Sequence, residues 1–190
     1  MKKLVVASNN KGKIAEIKQI LSDYEVLSIK DCGIEIDVEE NGITFQENAL
    51  IKAKALYEIT KLPTIADDSG LMVEALDGAP GVYSARYAGD GHDDNANNQL
   101  LLQNLKNKDN RKAKFVSAIA YYDGKKTVFG HGEVQGVILH ELKGNGGFGY
   151  DPLFYCTEIN KSFGEATQEE KNAVSHRYRA LVDLREKLCE

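Results

Sequence analysis

The sequence predicts a mixed α/β fold, a β-sheet core flanked by helices. Short β-prone runs such as Leu4–Ala7, Glu25–Ile29 and Lys114–Tyr122 interleave with stretches whose apolar residues recur at helical spacing. The first run passes through a polar loop directly into a helix. The 190 residues, 42% hydrophobic and 28% charged with three prolines and no composition break, suit one continuous domain over residues 1–190.

The elements follow in order. Leu4–Ala7 reads as a buried strand, and a helix over about 12–22 carries Ile14, Ile17 and Leu21 on one side. Between them lie Ser8, Asn9, Asn10, Lys11, Gly12 and Lys13. Free backbone N–H groups and the positive helix end point at this loop, which suits an anion. Asn10 capping the helix beside two solvated lysines explains the same segment equally well. The Lys-Ser/Thr ending of a Walker A loop is missing. After a strand at 25–29, an acidic run leads through Glu40 to the turn signal Asn41-Gly42. Thr44-Phe45-Gln46-Glu47 is a capping box opening a helix to about Lys61, with Phe45, Ala49, Ala53, Leu56 and Ile59 inward. Asn48 and Lys52 share another side, which by itself reads as solvated.

The run from Thr64 then ends abruptly in Asp67-Asp68-Ser69-Gly70. Strands disfavour Asp, so the spacing predicts a strand end that turns to present side chains. Alternation puts Asp67 and Asp68 on opposite faces, one free to line a cleft. Two hard oxygen anions there suit Mg²⁺. By itself the segment reads better as a polar turn, and the other motifs reverse that preference. A further short strand covers 71–74. Arg86 lies between Tyr83 and Tyr87 as either a binding surface or a stacked structural cation. A helix over 94–106 carries Leu101, Leu102 and Leu105, and Asp123-Gly124 predicts a hairpin between strands 114–122 and 126–139. Gly130, Gly132 and Gly136 suggest bends or a bulge in the second strand. In the glycine-rich loop 144–152, Phe148 offers a flat face for a base or tucks inward. Leu153–Tyr155 reads as the last strand, Thr167–Glu170 as a second capping box, and Ser175 as the cap of a final helix to about Leu188. His176 and Arg177 stand in its first turn, where cations are disfavoured by the dipole unless an anion or carbonyl faces them.

A net charge of −5 argues against a surface that coats nucleic acid. The apolar run at the start stops at Ala7, too short for a membrane span. Cys32, Cys156 and Cys189 have no metal-ligand spacing and point to a reducing cytosol, hence a cytoplasmic protein.

Six segments, taken in order, resemble one family: residues 8–13, 39–49, 66–71, 78–87, 146–152 and 169–177. It is the inosine triphosphate pyrophosphatase family of non-standard purine nucleotides. Each motif is weak by itself; six in sequence over nearly the whole chain are specific. Phe45 departs from the Ala or Ile expected at its place. The resemblance implies an elongated two-lobed domain with a cleft between the lobes, a homodimer, and Mg²⁺-dependent hydrolysis of ITP, dITP or XTP to the monophosphate and pyrophosphate. On the matching positions it implies that residues 8–13 and Lys52 hold the triphosphate and that Ser69 contacts substrate. It makes Glu40 and Asp68 the Mg²⁺ carboxylates, Asp68 also serving as proton acceptor. Phe148, Gly149, Tyr150, Asp151, Lys171, His176 and Arg177 then surround the base. A Mg²⁺ phosphomonoesterase and a nucleotide sensor without turnover are the competing readings of the same residues.

Overall fold

The structure is a computed structural model and describes residues 1–189. In chain order it contains β1 (Lys2–Val6), α1 (Lys11–Ile20), β2 (Tyr24–Ser28), α2 (Phe45–Thr60) and β3 (Thr64–Val73). Then come short 3-10 turns at Glu74–Leu76 and Gly81–Arg86, followed by α3 (Asp94–Asn104), β4 (Lys112–Tyr122) and β5 (Thr127–Ile138). β6 (Phe154–Cys156), β7 (Lys161–Ser162), α4 (Gln168–Val174) and α5 (His176–Cys189) complete it. Among the described residues the strands form one seven-stranded mixed sheet in the order β2-β1-β3-β4-β5-β6-β7. β1 pairs in parallel with β2 and β3, whereas β5, β6 and β7 pair antiparallel. No described helix is long and apolar enough to cross a membrane.

By packing, the chain divides into two units. The first comprises Met1–Asp68, Ser117–Gly132 and the segment from Arg177 onward; the second comprises Ser69–Val116 and Glu133–His176. In the first, the apolar sides of α1 and α5 close on the sheet through Leu4, Val6, Ile17, Leu21, Ile65, Ile119, Leu181 and Leu184. Ala49, Ala53, Ala66 and Ala120 let α2 approach closely. In the second, Leu71, Val73, Leu101, Leu105, Phe115, Phe154 and Phe163 form the core.

Local signals set most helix starts. Thr44 caps α2 by accepting from Glu47 N, and Thr167 with Glu170 makes a full reciprocal box on α4. At α2 the reciprocal half is displaced: the Glu47 carboxylate accepts from Ile43 N at 2.7 Å. One expectation changes. Ile59 is 54% exposed, because α2 has turned its side toward solvent by its last turn, and buried Asn48 takes an inward place instead. β4 is buried on both sides from Phe115 to Tyr121, as a central strand covered by other elements must be. At Gly130 and Gly136 of β5 the neighbouring chain leaves no room for a side chain. A Cβ on Gly130 would lie 2.2 Å from the Ala180 carbonyl of α5, so the missing side chain allows helix and strand to touch.

Candidate functional site

The acidic segment sits inside a strand, not at its end. β3 continues through Asp67, Asp68, Ser69 and Gly70 to Val73, because the apolar run resumes at Leu71 and pairing with neighbours outweighs the poor β-propensity of Asp. What makes two carboxylates tolerable there is cations.

Asp67 is the centre of the first group. Lys13 Nζ donates to both of its oxygens at 3.1 and 3.0 Å, and Arg177 Nε donates to Oδ2 at 3.3 Å. Lys13 comes from the first turn of α1, whose start is held by Asn10 Oδ1 accepting from Lys13 N and by Ser8 Oγ accepting from Asn10 N. Arg177 comes from the first turn of α5, and the anion that the helix dipole calls for there is Asp67. Burial, the largest single effect, pushes the Asp67 carboxyl upward; Lys13, Arg177 and Lys52 together hold it well below the usual range.

Asp68 belongs to a second group around Lys52 of α2. The Lys52 ammonium lies 3.2 Å from Glu40 and 3.8 Å from Asp68, and donates to the Asp67 carbonyl at 2.7 Å. One ammonium faces two carboxylates, leaving a net negative charge. Burial and the Glu40 charge raise the Asp68 carboxyl against the pull of Lys52, to about 6. The Asn48 amide on α2 faces the Asp68 carboxylate and pulls its pKa down, yet neither Asp68 Oδ2 nor Asn48 Nδ2, both buried, completes a hydrogen bond of standard geometry among the described residues. Asn48 Oδ1 accepts from Gly42 N at 2.8 Å and ties the loop after Glu40 to α2. No group of three or more His, Cys, Asp or Glu among the described residues forms a metal cage. Two carboxylates with an orphaned buried oxygen do fit Mg²⁺, which takes one or two protein carboxylates and leaves its other positions to water and phosphate.

In the second unit the glycine-rich loop is held, not loose. Phe148 N donates to Asp151 Oδ2 at 3.0 Å, and Lys171 Nζ to the same oxygen at 2.5 Å. A Cβ on Gly147, whose φ is +71°, would meet that oxygen at 2.1 Å, so this glycine is dictated by packing. The Phe148 ring stays 60% exposed, with the Lys171 ammonium 4.7 Å from its centroid.

The structure thus brings together Lys13, Asp67 and Arg177; Glu40, Lys52 and Asp68; and Phe148, Asp151 and Lys171. Asn9 and Lys11 are exposed beside Gly12 at the start of α1, and Ser69 is half-buried on β3. Other expected residues also make contacts within the protein. The Tyr150 side chain is buried with its hydroxyl donating to the Ser84 carbonyl at 2.6 Å, so the side chain itself serves the packing of the second unit. His176 is buried and stacked on Phe115 at 5.1 Å. Arg86 covers the Tyr83 ring at 5.3 Å, the stacked alternative. Sequence reasoning placed Asn48 on a solvated side. The signal that could have found it is Gly42 six residues earlier, a turn that needs a side-chain acceptor.

Comparison with known proteins follows the same lines. The Ham1 family profile matches residues 4–187. The chain is 50% identical over 199 aligned residues to the dITP/XTP pyrophosphatase of Clostridium perfringens, covering 99% of this chain and 98% of that protein. Over 193 residues it is 50% identical to the dITP/XTP pyrophosphatase of Aquifex aeolicus, covering 96% and 94%. Among solved structures, the Ham1 protein of Staphylococcus aureus matches with a TM-score of 0.92 at 44% identity over 98% of both chains. The Ham1 protein of Coxiella burnetii matches with a TM-score of 0.93 at 39% identity, over 100% of this chain and 99% of that one.

Proposed function

The chain belongs to the Ham1 family, and from that premise we propose that it is a nucleoside triphosphate pyrophosphatase hydrolysing ITP, dITP and XTP to the monophosphate and pyrophosphate. Its similarity to dITP/XTP pyrophosphatases over nearly the whole chain supports the reaction class. The observation in this chain that carries the reading is the Glu40–Lys52–Asp68 group, whose two carboxylates face one ammonium.

Glu40 and Asp68 would hold Mg²⁺, which supplies charge neutralisation on the phosphates. The α1 start with Lys11, Gly12 and Lys13, preceded by Ser8, Asn9 and Asn10, binds the β- and γ-phosphates. Backbone N–H groups, the Lys11 ammonium and the helix dipole favour anionic oxygens there, beside a Lys13 ammonium already paired with Asp67. Lys52 orients the carboxylates and stands ready for charge that develops on the leaving pyrophosphate. Asp68, raised to about 6 in the metal-free protein, is ionised at neutral pH and can accept a proton. Water attacks the α-phosphorus, its proton passes to Asp68, and the bond to the bridging oxygen breaks with pyrophosphate leaving. Ser69 follows Asp68 on β3 and contacts the substrate.

For the base, the exposed Phe148 ring offers a stacking surface, with the backbone of Gly149, Tyr150 and Asp151 beside it. Lys171 and Arg177 are pure donors, which favour the 6-oxo group of hypoxanthine and xanthine over the amino group of adenine. His176 supports this end from the core. The reading keeps the two-lobed domain that the family resemblance implies. It also makes the protein a cytoplasmic homodimer without a nucleic-acid partner, which light scattering on the purified chain checks for the dimer.

The test is a product-resolved assay with ITP, dITP, XTP, GTP and ATP. Pyrophosphate is expected from the first three with Mg²⁺, and no turnover after EDTA. Orthophosphate as the first product, or undiminished activity after thorough chelation, refutes the proposal.

A further inference from the structure

An exposed phenylalanine gains nothing for stability from a rigid backbone, yet the Phe148–Gly149 backbone is held at four points. Phe148 N donates to Asp151 Oδ2 at 3.0 Å, and the Phe148 carbonyl accepts from Asp151 N at 3.2 Å. Gly149, in the left-handed region at φ +60°, donates its N–H to Asp94 Oδ2 at 2.8 Å, while its carbonyl accepts from Asn98 Nδ2 at 2.9 Å. Asp94 and Asn98 are four residues apart on α3, hence on one side of it. One is an acceptor and the other a donor, matched to the two groups of a single glycine. Asn98 is 4% exposed, and its Oδ1 has no partner among the described residues. Its place in the core is therefore spent on that one carbonyl.

We infer that Asp94 and Asn98 are positioning residues, a two-point clasp on Gly149 that fixes the orientation of the Phe148 ring and so sets the affinity for the purine base. The inference rests on the reading of Phe148 as the base platform. Neither residue touches the reacting atoms. Fixing a ring before the ligand arrives removes the ordering cost from the binding step. The consequence is confined to the base end of the nucleotide, and the triphosphate end is indifferent to it.

The experiment is calorimetric titration of the full chain with three probes, inosine 5′-monophosphate, ribose 5-phosphate and pyrophosphate. Asp94→Ala and Asn98→Ala are each expected to weaken inosine monophosphate binding by about fivefold, as for loss of one hydrogen bond. Pyrophosphate affinity stays within about twofold of wild type. Asp94→Asn keeps an acceptor for Gly149 N and restores binding. In turnover of ITP, KM rises by more than kcat falls. Asp94 is exposed, so Asp94→Ala with its Asp94→Asn rescue decides the matter even if Asn98→Ala does not fold. Unchanged inosine monophosphate affinity in Asp94→Ala overturns the inference, as does a parallel loss of pyrophosphate binding. Wild-type protein that binds inosine monophosphate no better than ribose 5-phosphate overturns the platform reading itself.

Discussion

Replacing Asp67 with Asn removes one negative charge from between two cations without changing the size of the side chain. The Asp67 side chain is 11% exposed, Arg177 13% and Lys13 23%. All three are mostly shielded from solvent, so screening offsets little of the loss. Both partners are donors. An asparagine offers one acceptor oxygen and one NH₂ group, so whichever way it turns, a donor faces Lys13 or Arg177. Breaking a buried pair by removing one partner costs about 3–5 kcal/mol. Lys13 keeps some contact with water, which places this case near the low end, ~3 kcal/mol. For a chain of this size that corresponds to a fall in Tm of about 6–12 °C. Thermal unfolding followed by circular dichroism at pH 7 measures it, with urea denaturation as a check. A fall of less than about 2 °C would refute the assignment of Asp67 as the counterion that holds α1 and α5 to β3. The pH dependence gives a second handle. The folded carboxyl lies well below its unfolded value of 3.8, so its contribution is fully present above that value and fades as pH falls toward the folded pKa. The gap between wild type and Asp67→Asn therefore persists from pH 7 to about 4 and narrows only in stronger acid.

The other carboxylate behaves oppositely. Asp68 is raised from 3.8 to about 6, so it favours the fold when protonated, and that contribution is lost as pH rises through 6. In EDTA at pH 7, Asp68→Asn is thus expected to stabilise the protein by ~2 kcal/mol while lowering turnover of ITP by at least about a hundredfold. Equal or lower stability in chemical denaturation would contradict the charge assignment. Mg²⁺ competes with the proton for Asp68, so its affinity by calorimetry should strengthen as pH is raised from about 5 to 7; a flat profile removes Asp68 from the metal site. Gly130→Ala drives a methyl group toward the Ala180 carbonyl, with an expected cost of about 1–3 kcal/mol in urea melts. Gly147→Ala, strained and pressed on Asp151 Oδ2, should raise KM for ITP with little effect on pyrophosphate binding; an unaltered KM would mean the loop does not present Phe148.

Much of this protein could be read from short stretches of chain. Thr44 and Thr167 accept from amides three residues on, the hairpin turns at Gly124 with φ +88°, and Leu181 and Leu184 mark the buried side of α5. Each of these depends on a hydrogen bond or a periodicity within one or two turns, so the residues that decide it are neighbours in sequence. The six family motifs likewise named the residues that gather around Lys52 and Phe148. What the sequence left open involves partners far apart along the chain. Asp67 meets Arg177 across 110 positions and Gly149 meets Asp94 across 55. Whether Asp67 and Asp68 end a strand or lie within one depended on cations brought from α1, α2 and α5. Nothing near Gly130 in sequence shows the α5 backbone lying against it. Caps and periodicity act over a few bonds and are written in order; charge pairing and close packing act through space, and only the folded chain decides which groups share it.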